Sequence, residues 1–244
     1  MRLNRKILLI TIGVLFVSLL ISSIVNIVGF RRNYTEALIT GSYGLGHSLN
    51  SVVGELLNLG LPLDSLAGMD KKVRQLVEKN AHISYAAIAD LGGQALFHSN
   101  PEMVGKVFSD KVMAKSIAAV APIAQIYHRF DGHAYYDVTL PIFDSSNTHV
   151  GLIRLGFRTS VVDSKVQEAI IQVAINFTVA FLVIAFLINL LLSRLVSQPV
   201  IAISDHARKI AAGQFDNPLP VTRSDEIGLL TASLNAMAAT IKSL

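Results

Sequence analysis

Two uncharged apolar runs, residues 7–30 and 169–193, decide what this chain can become. The first has 24 residues without an acidic or basic side chain. As a helix it extends about 36 Å at about 1.5 Å per residue, against a bilayer hydrocarbon core of about 30 Å. The second is as long and is closed by Arg194. A hydrophobic content of 52% in 244 residues is too high for an ordinary soluble protein, so the excess belongs in a membrane. The first run shows neither the short apolar region nor the small-residue cleavage site of a secretory signal and reads as an uncleaved anchor. Two spans put both ends on one side. Arg2, Arg5 and Lys6 precede the first span and Arg31 and Arg32 follow it, a weak bias towards a cytoplasmic N-terminus. Residues 1–6 and those beyond 193 then lie on one side of the membrane and residues 31–168 form one domain on the other; which side is cytoplasmic is decided by the linker that follows the second span. Asn26, Asn176 and Asn189 either bond between spanning helices or are tolerated polar residues.

Composition removes several classes of function. A net charge of +4 without basic runs interleaved with aromatics gives no support for nucleic-acid binding. The absence of cysteine excludes disulfides, thiolate metal sites, a cysteine nucleophile and c-type haem attachment. There is no phosphate-binding Gly-Lys-Ser/Thr loop, no nucleophile elbow and no carboxylate pair in a cleft sequence, so neither an enzyme nor a cofactor is expected.

Within residues 31–168 the hydrophobic period changes along the chain. Leu45, Leu49, Val52, Leu56 and Leu59 recur at helical spacing and predict a long helix over 31–59 continuing from the first span. Leu61-Pro62 breaks it, Asp64 and Asp70 offer caps, and residues 71–80 read as a further helix. Strand patterns follow at 83–89 and 94–98 around Asp90-Leu91-Gly92-Gly93, at 123–130 and 133–142 around Asp131-Gly132, and at 150–158 after Asp144-Ser145-Ser146-Asn147. The expectation is an antiparallel sheet of about five strands, with residues 161–167 leading back as helix into the second span. This order resembles the single Cache sensor domain, a PAS-like extracellular fold. The resemblance rests on Ile88-Ala89-Asp90-Leu91-Gly92, Phe97-His98-Ser99-Asn100-Pro101 with Val104-Gly105, and Val138-Thr139-Leu140-Pro141 before Gly151-Leu152-Ile153-Arg154. It implies a small cavity over the sheet for a small extracellular ligand.

Strand alternation places Tyr135, Asp137 and Thr139 on one face and Tyr136, Val138, Leu140 and Ile142 on the other, with Arg154 beside Leu152 and Gly156, and Tyr127 and Arg129 at alternate positions. Arg154 or Arg129 can fork onto a carboxylate while Asp137 receives an ammonium or hydroxyl. Tyr85, Tyr127 and Tyr135 would then form walls, with His98 at the pocket edge. That set points to an amino acid or small organic acid. The alternatives are that Asp137 pairs with an arginine across the sheet, or that this face meets solvent. His128, Asp131 and His133 could chelate a metal only if the hairpin gathered them, and no metal is expected there.

After the second span, residues 194–244 read as two short helices and a link. Val196, Pro199, Ile203, Ala207 and Ile210 form one narrow seam; Ile227, Leu230, Leu234, Met237, Ile241 and Leu244 form the other. Seams so narrow cannot stand alone in water, so the helices must pack on one another and on a second copy of the chain. Gly213 ends the first helix, Pro218 keeps the link extended, and Phe215 and Leu219 pin it along the bundle. Ser224 or Asp225 caps the second helix, with Asp225 and Glu226 in its first turn. His206 falls off the seam and reads as solvated. The proline, the connector and Asp225-Glu226-Ile227-Gly228 resemble the cytoplasmic HAMP linker of bacterial receptors.

The combined reading is a membrane α+β chain: two transmembrane helices flanking a Cache domain, then a two-helix coiled-coil unit. It would act as a homodimeric bacterial inner-membrane receptor, both termini cytoplasmic, relaying ligand binding to a kinase, cyclase or chemotaxis output. Receptors of this kind usually continue beyond the position of Leu244 into such an output, which would here be lost, cut away or supplied by a separate protein. The competing readings are a metal-dependent extracytoplasmic membrane enzyme and a structural dimerisation partner without ligand.

Overall fold

The computed structural model describes residues 3–109, 111–128, 132–214 and 217–243, which divide into two compact units: residues 25–172, and residues 1–24 with 173–244. The chain opens with α1 (Leu3–Asn58), followed by α2 (Met69–Lys79), β1 (Tyr85–Asp90), β2 (Ala95–His98), α3 (Lys111–Ala118), β3 (Ile123–His128), β4 (Ala134–Phe143) and β5 (His149–Arg158). It continues through α4 (Thr159–Leu192), a π-helical turn (Ser193–Ser197), α5 (Gln198–Ala211) and α6 (Glu226–Lys242).

In the unit of residues 25–172 the strands form one antiparallel sheet in the order β2-β1-β5-β4-β3. The β1–β2 hairpin and the β3–β4–β5 meander are thus joined by pairing of β1 with β5, which makes β5 the central strand. Asp90 shapes the first turn, its Oδ1 accepting from the Gln94 N–H at 2.8 Å. Asp144 does the same between β4 and β5, its Oδ1 accepting from Ser146 and Thr148 N–H at 2.9 and 2.8 Å. The turn residue Asp131 lies outside the described residues.

One face of the sheet packs against α1 and α2. Ile88, Val138, Leu140, Ile142, Ile153, Leu155 and Phe157 meet Leu49 and Val53 of α1 and Val73 of α2 in a single apolar core. The buried stripe of α1 runs through Ser42, Gly46, Leu49 and Val53; of the line expected from sequence, Leu49 lies in it, while Leu45, Val52 and Leu56 are half-buried at its margin. Leu59 falls beyond the helix and is 77% exposed. The small residues sit at the centre because they let the helix axis come close to the sheet. α2 begins two residues earlier than expected, and Asp70 lies in its first turn and not at the cap.

In the other unit, the apolar lengths of α1 and α4 are long and hydrophobic enough to cross a membrane, and their most apolar windows are unburied. Phe16 meets Phe177 and Phe181 edge-on at 5.6 and 5.7 Å between centroids. Beyond α4, Arg223 at the start of α6 reaches the carbonyl of Leu195 before α5, so the two linker helices begin at the same end and run parallel. Their contact uses Ile203, His206 and Ile210 of α5 and Gly228, Thr231 and Ala238 of α6. His206 is 7% exposed, so it belongs to the packed face and not to solvent: Pro199, Ile203, His206 and Ile210 follow steps of four, three and four. On α6, Ile227 and Leu234 are half-buried, whereas Leu230, Met237 and Ile241 remain 53%, 58% and 45% exposed in the single chain. The link is pinned by Asn235, whose side-chain amide donates to the Leu219 carbonyl at 2.8 Å and accepts from the Leu219 N–H at 3.0 Å. Phe215 lies outside the described residues.

Candidate functional site

The second face of the sheet is where polar side chains converge. Register sets their spacing: Gly156 of β5 lies between Tyr85 of β1 and Asp137 of β4, and Arg154 lies between Ala87 and Thr139. A Cβ at position 156 would run into the Tyr85 ring, so glycine lets that ring lie across β5. The Tyr85 hydroxyl thereby reaches and donates to Asp137 Oδ1. Arg154 comes in from the diagonal position, Nε at 3.0 and 3.2 Å from the two carboxylate oxygens and Nη2 at 3.0 Å from Oδ2. Asp137 is 0% and Arg154 5% exposed, so this is a buried ion pair.

The network extends to α3. Gln125 of β3 donates to the Val112 carbonyl at 3.0 Å and to Ser116 Oγ at 2.8 Å, with a longer contact of 3.4 Å to Asp137 Oδ2. Ser116 Oγ and Thr139 Oγ1 share a bond of 2.9 Å, and Arg154 Nη1 donates to Met113 Sδ at 3.3 Å. Arg154 also lies over the Tyr127 ring, 5.5 Å from its centroid. Burial is the main cause that raises the Tyr85 phenol well above its ordinary range, and the Asp137 carboxylate adds to it; the Arg154 charge works in the opposite direction.

Beside this network is a cavity of about 30 Å³, lined by Arg154, Tyr85, Tyr127, His98, Met103 and Met113 together with Phe108 and small alanines. It has room for one or two water molecules. Of the residues expected from sequence, Tyr85, Tyr127, Asp137 and Arg154 are brought together, with His98 stacked on Tyr85 at 5.9 Å. Tyr135 is buried behind Tyr85, edge-on at 5.9 Å, with its hydroxyl accepting from Arg158 at 3.2 Å; it supports the site without lining the cavity. Arg129 lies outside the described residues. Gln125, Ser116, Met113, Met103 and Phe108 were not foreseen; alternation along β3 could have offered Gln125, but the residues of α3 and of the loop before it carry no local signal of facing the sheet. Among the described residues no three His, Asp or Glu side chains gather as metal ligands.

Residues 52–170 match the family model described as single cache domain 3, and residues 191–243 match that of the HAMP domain. Among solved structures, the Escherichia coli DcuS sensor domain is similar at 17% identity and a TM-score of 0.39, over 51% of this chain and 96% of that one. The sensor domain of the Vibrio cholerae histidine kinase DctB is similar at 14% identity and a TM-score of 0.44, over 56% of this chain and 57% of that one. The periplasmic sensory domain of a Campylobacter jejuni chemoreceptor gives 13% identity and a TM-score of 0.40, over 55% and 59%. The chain therefore spans less than two thirds of the last two. A comparison with curated protein sequences finds no match.

Proposed function

The chain joins a single Cache domain to a HAMP domain, the parts of a signal-transduction sensor, and from that premise we propose a bacterial inner-membrane receptor for a small extracytoplasmic amino acid or organic acid. Residues 7–30 and 169–193 cross the membrane, residues 31–168 face outwards, and residues 1–6 and 194–244 are cytoplasmic. The receptor is a homodimer: Leu230, Met237 and Ile241, half-exposed in one chain, pack against a second copy. Its output is a kinase, cyclase or chemotaxis module, and it performs no catalysis of its own.

The observation that carries the ligand class is the buried Asp137–Arg154 pair, of which Arg154 lines the cavity and Asp137 lies behind it. A carboxylate that took Arg154 alone would leave Asp137 buried without a counter-charge, a cost of about 3–5 kcal/mol. A zwitterion inserted between them keeps both charges paired, carboxylate to Arg154 and ammonium to Asp137, which favours a small amino acid over a simple acid. Tyr85 and Gln125 stay within reach of the displaced groups. The site opens to admit it, since a cavity for one or two waters is smaller than any amino acid.

The test is a thermal-shift screen of the full chain in lipid nanodiscs against glycine, alanine, acetate, propionate and methylamine. At about 100 times its dissociation constant, a ligand specific to the folded state adds about 2.7 kcal/mol of stability. Glycine or alanine should stabilise the chain and acetate or methylamine should not, with the effect lost in Asp137→Asn. Stabilisation by acetate alone would replace the amino acid with an organic acid. No stabilisation by any of them would leave the self-paired network as a purely structural device and the chain as a dimerisation partner.

A further inference from the structure

Pro199, in the first turn of α5, has no N–H to donate. In a continuous α-helix its partner would be the carbonyl four residues back, that of Leu195, which loses this donor and is crowded by the proline ring. The chain forms a π turn there, Ser193–Ser197, with the Gln198 N–H donating five residues back to the Ser193 carbonyl. Ser197 Oγ donates to the Leu192 carbonyl at 3.1 Å. The Leu195 carbonyl receives its bond from a distant side chain: Arg223 Nη1 donates to it at 2.8 Å.

The same guanidinium is held by Asp225, with Nε at 3.0 Å and Nη2 at 2.5 Å from Oδ2. The other oxygen of Asp225 accepts from the Gly228 N–H at 3.1 Å and caps α6. The Arg223 bond first, and the Gly228 N–H second, hold the Asp225 carboxyl below the usual carboxylate range. A Cβ at position 228 would run into the Arg223 carbonyl oxygen, so glycine admits the close approach of the link that carries Arg223. Three backbone features are thereby joined through one side chain: the carbonyl that loses its donor to proline, the cap of α6 and the π turn.

We propose that Arg223 is a positioning residue of the relay, a clasp between the start of α6 and the Leu195 carbonyl that holds the π turn at the junction of α4 and α5. A π turn contains one residue more than an α turn. Resolving it moves everything beyond by one residue, about 1.5 Å along the axis and about 100° around it. The clasp therefore sets which side of α5, now Ile203, His206 and Ile210, is presented to α6. This inference rests on the HAMP assignment and is independent of the ligand site.

Amide hydrogen exchange of the full chain in nanodiscs, read by mass spectrometry, tests it. In Arg223→Ala, residues 194–203 should exchange about tenfold faster, the effect of losing one charge-assisted bond. Arg223→Lys should not restore protection, because a point charge cannot serve Asp225 and the Leu195 carbonyl together. Asp225→Asn is the discriminating variant: asparagine keeps the cap of α6 but loses the charge that aims Arg223. It should speed exchange over 194–203 and leave 227–231 unchanged, with strand β5 as internal control for folding. If exchange over 194–203 is unchanged in Arg223→Ala, or changes appear only over 227–231, Arg223 is part of the cap alone and the clasp does not exist.

Discussion

The two faces of the sheet are held by different forces. Towards α1 and α2, seven side chains from three strands are completely buried among apolar neighbours, and burial of that kind has no preferred direction. Towards α3, a much smaller apolar cluster of Ala89, Leu152 and Met113 lies beside the network of Asp137, Arg154, Gln125, Thr139 and Ser116, a handful of bonds with fixed donors and acceptors. The apolar face resists separation but specifies no single contact. The polar face is made or broken, because such bonds fail once partners part by an ångström. A domain built this way has its sensitivity concentrated on one side.

The largest effect should come from breaking the charge balance on the polar face. Arg154→Ala leaves Asp137 buried alone and should cost about 3–5 kcal/mol in denaturant unfolding. The pair replaced together, Arg154→Met with Asp137→Leu, should return close to the parent stability or exceed it. A double variant as unstable as the single would mean that directional bonds, and not charge balance, hold α3. On the apolar face, Leu140→Ala should cost about 2–5 kcal/mol while leaving any ligand response intact, since its side chain lies in the apolar core on the face opposite Asp137 and Arg154.

Tyr85→Phe removes one donor from a buried carboxylate and should cost about 1–3 kcal/mol. The same hydroxyl gives a pH signature. Its folded value lies above the ordinary 10.0, so the folded chain holds the proton more tightly than the unfolded one. The stability this contributes is complete below about pH 10 and is lost as pH rises through the folded value. In a phenolate absorbance titration, Tyr85 should ionise only together with alkaline unfolding; its ionisation before unfolding would place it in contact with solvent. The smallest effect belongs to Arg31–Asp163, the same residue types at 3.1 Å but with side chains 58% and 55% exposed. Arg31→Ala should change stability by about 0–1 kcal/mol.

Much of the architecture is legible along the chain because period and turn chemistry are local. The alternation in β4 and β5 separates Asp137 and Arg154 from Leu140 and Leu155; Asp90 marks the turn between β1 and β2, and Asp144 that between β4 and β5. What is not legible depends on neighbours far away in sequence. A search for apolar residues follows Leu45 and Val52 along α1, while the close approach is made at Ser42 and Gly46. His206 looks solvated by residue type, yet its spacing from Ile203 and Ile210 already puts it on the packed face. The cover supplied by Met113 and Ser116, and the reach of Arg223 to Leu195 across 28 residues, arise only when separate elements are packed together.

β5 ends at Arg158 and α4 begins at Thr159, so the chain passes from central strand to helix with no connecting segment. In mechanical terms the linkage has no backlash. A loop would take up the first fraction of an ångström of any movement; here no loop separates Arg154 and Gly156 from the first turn of α4. The stroke available is then limited by how far a strand paired on both edges can slide, which makes this a short-travel, high-stiffness drive.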